Sequence, residues 1–276
     1  MKSLKDKVAV ITGGNSGIGY ATAKALHEDG ARVIITGRRK EAIEKAASEL
    51  KVRGLLADQS NLSDIERLVL DVKEQFGKVD ILLINAGITK FAPIEVMTEN
   101  MLDEVMNVNF KGAYFTLSKF IPILHDSASV IFLSSTSATI SPQNASAYAA
   151  SKAAINAVMK IAALELACRK IRVNAVSPGP VATEIMSKLG LDDSIEAQII
   201  NSIPLSRLGR ADEVADLITY LSGDHASFIT GSNFLIDGGQ SLWVHYKLSL
   251  CCNFLSLIWL YMLSNNIPTV AHRANA

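Results

Sequence analysis

Short, unbroken apolar runs recur along the chain, separated by longer stretches with a helical spacing of apolar residues. Val8-Ala9-Val10-Ile11 is the first such run, followed by Arg32–Thr36, Val52–Ala57, Val79–Ile84, Val130–Leu133, Ile171–Val176 and Asn233–Ile236. Runs of this length without polar alternation are expected of strands covered on both faces, as in a parallel sheet. Helices are predicted between them over Gly17–Asp29, Lys40–Leu50, from Ser63 to Phe76, from about Glu99, over Ala147–Cys168 and over Asp212–Leu221. Gly30 and Gly77 are placed to stop the first and third helices, and Ser63-Asp64-Ile65-Glu66 has the pattern of a capping box. The strand–helix rhythm predicts right-handed crossovers. It therefore gives an α/β fold: a single doubly wound domain of about seven parallel strands with helices on both faces.

Composition adds limits. The chain has 276 residues, 49% of them apolar, and a formal net charge of zero without a basic block. It can bury a sizeable core, and its charge does not point to nucleic acid or an anionic membrane surface, so small partners are expected. Cys168, Cys251 and Cys252 are too few and too unevenly placed for a disulfide framework. That usage fits a reducing, cytoplasmic compartment. The start, Met1 to Lys7, turns straight into a strand, so no secretory segment is expected.

The chemistry begins where the first strand ends. Thr12-Gly13-Gly14-Asn15-Ser16-Gly17-Ile18-Gly19 joins that strand to an Ala-rich helix. Glycines there allow a tight turn and close backbone approach, and the helix start offers unpaired N–H groups to a pyrophosphate. A Rossmann-like sheet brings the end of the second strand to the adenosine ribose, where a carboxylate would repel a 2′-phosphate. Gly37 holds that place here, followed by Arg38 and Arg39. Two guanidiniums and no carboxylate favour NADP(H), with NAD(H) as the alternative.

Further along, Tyr148 and Lys152 lie four residues apart in an Ala-rich helix and share one face. An isolated pair of this kind is more often an exposed helix surface. Here Ser135 stands thirteen residues upstream of Tyr148, at the end of a strand, where open α/β sheets place their ligands. In Met106-Asn107-Val108-Asn109-Phe110, two Asn residues fall inside a helical stretch and compete for its backbone hydrogen bonds, which asks for a reason.

The glycine loop, Ser135 and the Tyr148–Lys152 pair, in this order and spacing, resemble the short-chain dehydrogenase/reductase family over roughly residues 5 to 240. The resemblance implies that Gly13, Asn15, Ser16, Gly17, Ile18 and Gly19 cradle the dinucleotide. Asp58, with Gln59 beside it, would meet the adenine, and Asn85-Ala86-Gly87 would lie under the adenosine. Pro178, Gly179, Val181 and Thr183 would hold the nicotinamide carboxamide. The implied reaction is hydride transfer between the nicotinamide and a carbonyl or secondary alcohol. In it Ser135 binds the substrate oxygen and Tyr148 exchanges its proton. Lys152 lowers the Tyr148 pKa and binds the ribose, while Asn109 distorts its helix and holds a water that links Lys152 to solvent. Ser134, Thr136 and Ser137 are then bland neighbours. A homodimer or homotetramer built on the helix carrying Tyr148 is also implied, with Glu184 to Arg210 as the variable substrate-binding segment. The five histidines lack ligand spacing, so no metal is expected. A dinucleotide-binding regulator without significant catalysis is the alternative function.

The resemblance covers residues 1–242 as one domain and stops before residues 243–276. Leu248 to Leu263 is apolar apart from Ser249, Asn253 and Ser256, yet shorter than the ~20 residues that span a bilayer. An extension of abnormal origin such as a frameshift, an added packing helix and a membrane anchor all stand open for this tail. The chain cut after Leu242 is expected to stay soluble and active, which folding and turnover assays of that truncation check.

Overall fold

The computed structural model describes residues 4–183 and 193–242. The tail, residues 243–276, and residues 184–192 of the proposed substrate segment lie outside the described residues. Seven strands form one sheet: β1 (Val8–Thr12), β2 (Arg32–Gly37), β3 (Arg53–Leu56), β4 (Val79–Ile84), β5 (Leu124–Leu133), β6 (Arg172–Pro178) and β7 (Asn233–Ile236). They lie in the order β3-β2-β1-β4-β5-β6-β7, and every pairing is parallel. The order reverses between β1 and β4. Parallel sheets bind ligands at the carboxyl edge beside such a reversal.

Strand parity explains why both faces are covered. Val8 and Val10 of β1, Leu82 and Ile84 of β4, Val130 and Phe132 of β5, and Val173 and Ala175 of β6 share one core. That core is closed by α3 (Leu62–Phe76), α5 (Ala113–Phe120) and α7 (Ser146–Glu165), through residues such as Val72, Phe120 and Ile155. The alternate residues Ala9, Ile11, Ile35, Ile81, Leu83, Ile131 and Val176 enter the second core. There they meet Leu26 of α1 (Gly17–Glu28), Ile43 of α2 (Lys40–Leu50) and Ile218 of α9 (Ala211–Ser222). Phe120 and Phe132 are fully buried, each worth ~1.5–3 kcal/mol over an exposed side chain.

Two local expectations are corrected, the α3 cap and the start of β5. Asn61, rather than a Ser63–Glu66 box, caps α3: its side chain accepts from the Ser63 and Asp64 N–H groups. Asp64 turns away to accept from the Asp58 N–H and from Arg67. β5 begins six residues before the Val130–Leu133 run, with a register irregularity between its two pairing segments on β4. The helix from Glu99 carries a distortion at the place expected of Asn109: α4 (Glu99–Met106) passes into a π turn over Asn107–Gly112 before α5 starts. The remaining helices of the described residues are the short α6 (Ser137–Ile140) and α8 (Asp193–Asn201).

Candidate active site

The carboxyl ends of β1, β2, β4 and β5 open into a cleft of ≈ 520 Å³, the size range of small-molecule sites. Gly13 forms its floor with φ +65°, and a Cβ there would stand 2.9 Å from Ala86 Cα. Gly19 lies buried behind the loop, where a Cβ would come within 2.4 Å of the Gly13 carbonyl oxygen. Ser16 occupies the N-cap of α1 without a side-chain capping bond. The first N–H groups of α1 therefore have no side-chain cap competing with a bound anion.

Asn15, Ser16, Gly17, Ile18, Gly37, Arg38 and Arg39 all line this end, and Asp58, Gln59, Asn85, Ala86 and Gly87 line the next part of the wall. Asn85 is fixed through its backbone and amide. Its N–H donates to Thr12 Oγ1 at 3.0 Å, and its Nδ2 donates to the Thr12 and Gly13 carbonyls. The Thr12 hydroxyl also accepts from Ala86 N–H and so staples β1 to the Asn85 loop. Nothing in the sequence separated this buried threonine from an ordinary strand residue.

At the far end stand Tyr148, Lys152, Ser134 and Thr183. Ser135 is buried, its hydroxyl accepts from the Ser137 N–H, and it hydrogen-bonds the Tyr148 phenol. Burial pushes the phenol up and the Ser135 bond pulls it partly back. The expected depression by Lys152 is therefore corrected. The ammonium lies 5.7 Å from the Tyr148 ring centroid and donates to the Leu133 carbonyl at 2.7 Å. Lys152 itself is pushed down to about 8 by burial. Ser134 is no bland neighbour: it lines the cleft and donates to the Lys152 carbonyl.

The Asn109 side chain is fixed by protein partners. Its Oδ1 accepts from the Ile88 N–H at 2.8 Å, and its Nδ2 donates to the Ile88 carbonyl and to Ser151 Oγ. The side chain is thus spent on protein partners, so a water linked to Lys152 would have to use another atom. Ser151 passes the chain on by donating to the Tyr148 carbonyl at 2.7 Å. Placing Asn109 in the middle of the π turn answers the question that an Asn in a helix raised.

Thr183 faces the cleft, whereas Pro178, Gly179 and Val181 do not line it. Pro178 ends β6, paired with Ile236, and a Cβ on Gly179 would reach 2.8 Å from Asp237 Cβ. Val181 instead bridges to Gly209, so the adjoining Thr183 is the described contact with the cleft. Ile88 and Thr89, loop residues after β4 that carry no periodic signal, and Val108 of the π turn join the wall unforeseen.

The family model described as enoyl-(acyl-carrier-protein) reductase matches residues 13–241. An uncharacterised oxidoreductase of Methylorubrum extorquens is 36% identical over 246 residues, 87% of this chain and 99% of its own. A 3-oxoacyl-[acyl-carrier-protein] reductase of Thermotoga maritima is 36% identical over 243 residues, covering 86% and 98%. A solved short-chain dehydrogenase/reductase of Brucella melitensis, described as a glucose/ribitol dehydrogenase, superposes with a TM-score of 0.80 at 29% identity. It covers 86% of this chain and 98% of its own. The chain belongs to the short-chain dehydrogenase/reductase family. Membership makes it an NAD(P)-dependent oxidoreductase acting on carbonyl or CH–OH groups. The residues present fit that cofactor: the tight glycine floor leaves backbone where a dinucleotide must approach closely, and the cleft runs from Arg38 to Lys152. Among the described residues, no helix is long and apolar enough to cross a membrane.

Proposed function

We propose that the chain reduces a carbonyl, or oxidises the corresponding secondary alcohol, with NADP(H) as the favoured cofactor. The observation that carries this reading is the Ser135–Tyr148 hydroxyl pair beside buried Lys152, at the end of a cleft suited to a dinucleotide. When bound, the nicotinamide supplies or accepts the hydride. Ser135 donates a hydrogen bond to the substrate oxygen, and Tyr148 gives that oxygen its proton as negative charge develops there. Lys152 binds the nicotinamide ribose and restores the phenol proton through solvent, while Asn109 holds the helix start through Ser151. The Gly13–Gly19 loop and the Asn85 wall bind the pyrophosphate and adenosine, Asp58 the adenine, and Thr183 the carboxamide. A 3-oxoacyl thioester and a sugar alcohol head the substrate classes, on the names of the relatives above.

Cofactor choice rests on the end of β2. Gly37 leaves no carboxylate there, and both Arg38 and Arg39 border the cleft. Replacing Arg38 and Arg39 together with Ala is expected to lower the NADPH-to-NADH ratio of kcat/KM about tenfold or more, through loss of bidentate phosphate contacts. Steady-state kinetics with both cofactors check it; an unchanged ratio would remove the preference for NADP(H).

The proposed assembly is a homodimer or homotetramer in a reducing cytoplasm. Its support is the outer face of α7, where Ile161 and Leu164 are exposed, Leu164 to 80%. A leucine buried at an interface contributes ~1.5–3 kcal/mol per copy, so Leu164→Glu is expected to yield smaller particles by light scattering. A mass unchanged by that substitution would place the interface elsewhere.

A further inference from the structure

Gln59 has no role in the reaction described so far, yet it touches both ends of the π turn that carries Asn109. Its Nε2 donates to the Val108 carbonyl, inside the turn, and to the Ala86 carbonyl in the cofactor wall, both at 3.0 Å. Its own backbone oxygen abuts the other end of the turn: a Cβ on Gly112 would stand 2.2 Å from it. Of the two ends of the Gln59 amide only the NH2 can face two carbonyl oxygens, so the orientation of this side chain is forced by its neighbours. Among the described residues, the Oε1 atom is left buried without a partner. An apolar side chain would avoid that desolvation, so the two donated bonds are what this position requires. Gln59 also directly follows Asp58, and both line the cleft.

We infer that Gln59 is a positioning residue that sets the π turn and links the adenine end of the cofactor cleft to Asn109. The chain of contacts is continuous. It runs from Gln59 to Val108, through the adjoining Asn109 to Ser151 Oγ at 3.1 Å, and from there to the Tyr148 carbonyl. π turns are costly local departures from the α-helix and persist where neighbouring groups hold them. Here one residue holds this turn from the cofactor side. The inference rests on the hydride-transfer reading for its effect on turnover, but not for its effect on the turn.

The test compares Gln59→Met and Gln59→Glu with the wild-type full chain. Amide hydrogen exchange over Asn107–Gly112 in the cofactor-free protein is expected to run about tenfold or more faster in Gln59→Met, with the β1 and β4 amides unchanged. Adding NADPH is expected to slow exchange of the turn in wild type and to lose that effect in the variant. Gln59→Glu can donate only while protonated. Its kcat is therefore expected to fall as the carboxyl ionises with rising pH, a step absent from wild type and from Gln59→Met. At a position without a link to Asn109 and Tyr148, that ionisation would leave kcat unmoved. Turn exchange within about twofold of wild type in Gln59→Met would overturn the inference. Should that variant fail to fold, a Gln59→Glu profile without the added step would do the same. A wild-type protein that turns over no carbonyl would count against the hydride-transfer reading alone, because the exchange arm still decides the role of Gln59.

Discussion

Tyr148→Phe is expected to lower kcat about 10²–10⁴-fold, the usual worth of a positioned acid–base group. The substitution keeps the ring, and with it the edge contact to Phe91 at 6.3 Å between centroids. It removes only the oxygen that the Ser135 hydroxyl bonds. Cofactor affinity, measured by fluorescence titration, is therefore expected to stay within about threefold of wild type. Burial raises the phenol above its ordinary value, so it remains protonated at neutral pH and is suited to donation. Reduction is then expected to lose rate only on the alkaline side, above the ordinary tyrosine range. Oxidation, which needs the phenolate, is expected to gain rate as pH rises. Substantial turnover in the Phe variant would remove Tyr148 from the proton step.

Lys152→Met is the second large effect, and it separates catalysis from stability. Turnover is expected to fall about 10²-fold or more with weaker cofactor binding, because the ammonium that would hold the ribose is gone. Stability is expected to respond in the opposite sense at neutral pH. Lys152 is 4% exposed and its pKa lies near 8, against an ordinary 10.5. Between those two values the unfolded chain holds the proton that the folded protein has given up. Raising the pH through that window thus stabilises the wild type relative to the Met variant, and lowering it through about 8 removes the gain. The depression of 10.5 to about 8 corresponds to ~3 kcal/mol as an order of magnitude. Urea unfolding of both proteins across neutral to alkaline pH checks the slope. Parallel stability curves would mean that the ammonium is not buried as described.

Much of this architecture was legible because periodicity and burial obey the same geometry. An unbroken run such as Val8 to Ile11 has to face two cores, and its alternate residues do so. The Tyr148–Lys152 spacing was legible for the same reason, since four residues complete roughly one helical turn. What stayed hidden depends on contacts between distant segments. Asn61 rather than Ser63 caps α3, and Glu66, the partner a Ser63 box would need, is paired with Lys119 of α5, a contact between distant segments. The upward pressure on Tyr148 was missed because spacing tells that Lys152 is near but not that its ammonium is held by the Leu133 carbonyl. Thr12 opens the glycine motif and Gln59 stands beside Asp58, but the sequence does not show what either side chain bonds. Their roles arise from where β1, β4 and the π turn converge. Pro178, Gly179 and Val181 show the opposite case, a conspicuous sequence loop whose first two residues pack at the end of β7 and whose valine bridges to Gly209, none of them lining the cleft.

The most direct test follows nicotinamide absorbance with purified full-length protein, NADPH or NADH, and a panel of ketones, 3-oxoacyl thioesters and sugar alcohols, with Tyr148→Phe run alongside. The account requires carbonyl-dependent loss of NADPH absorbance, faster than with NADH, that all but vanishes in the Phe protein. Equal rates in wild type and Tyr148→Phe would contradict it.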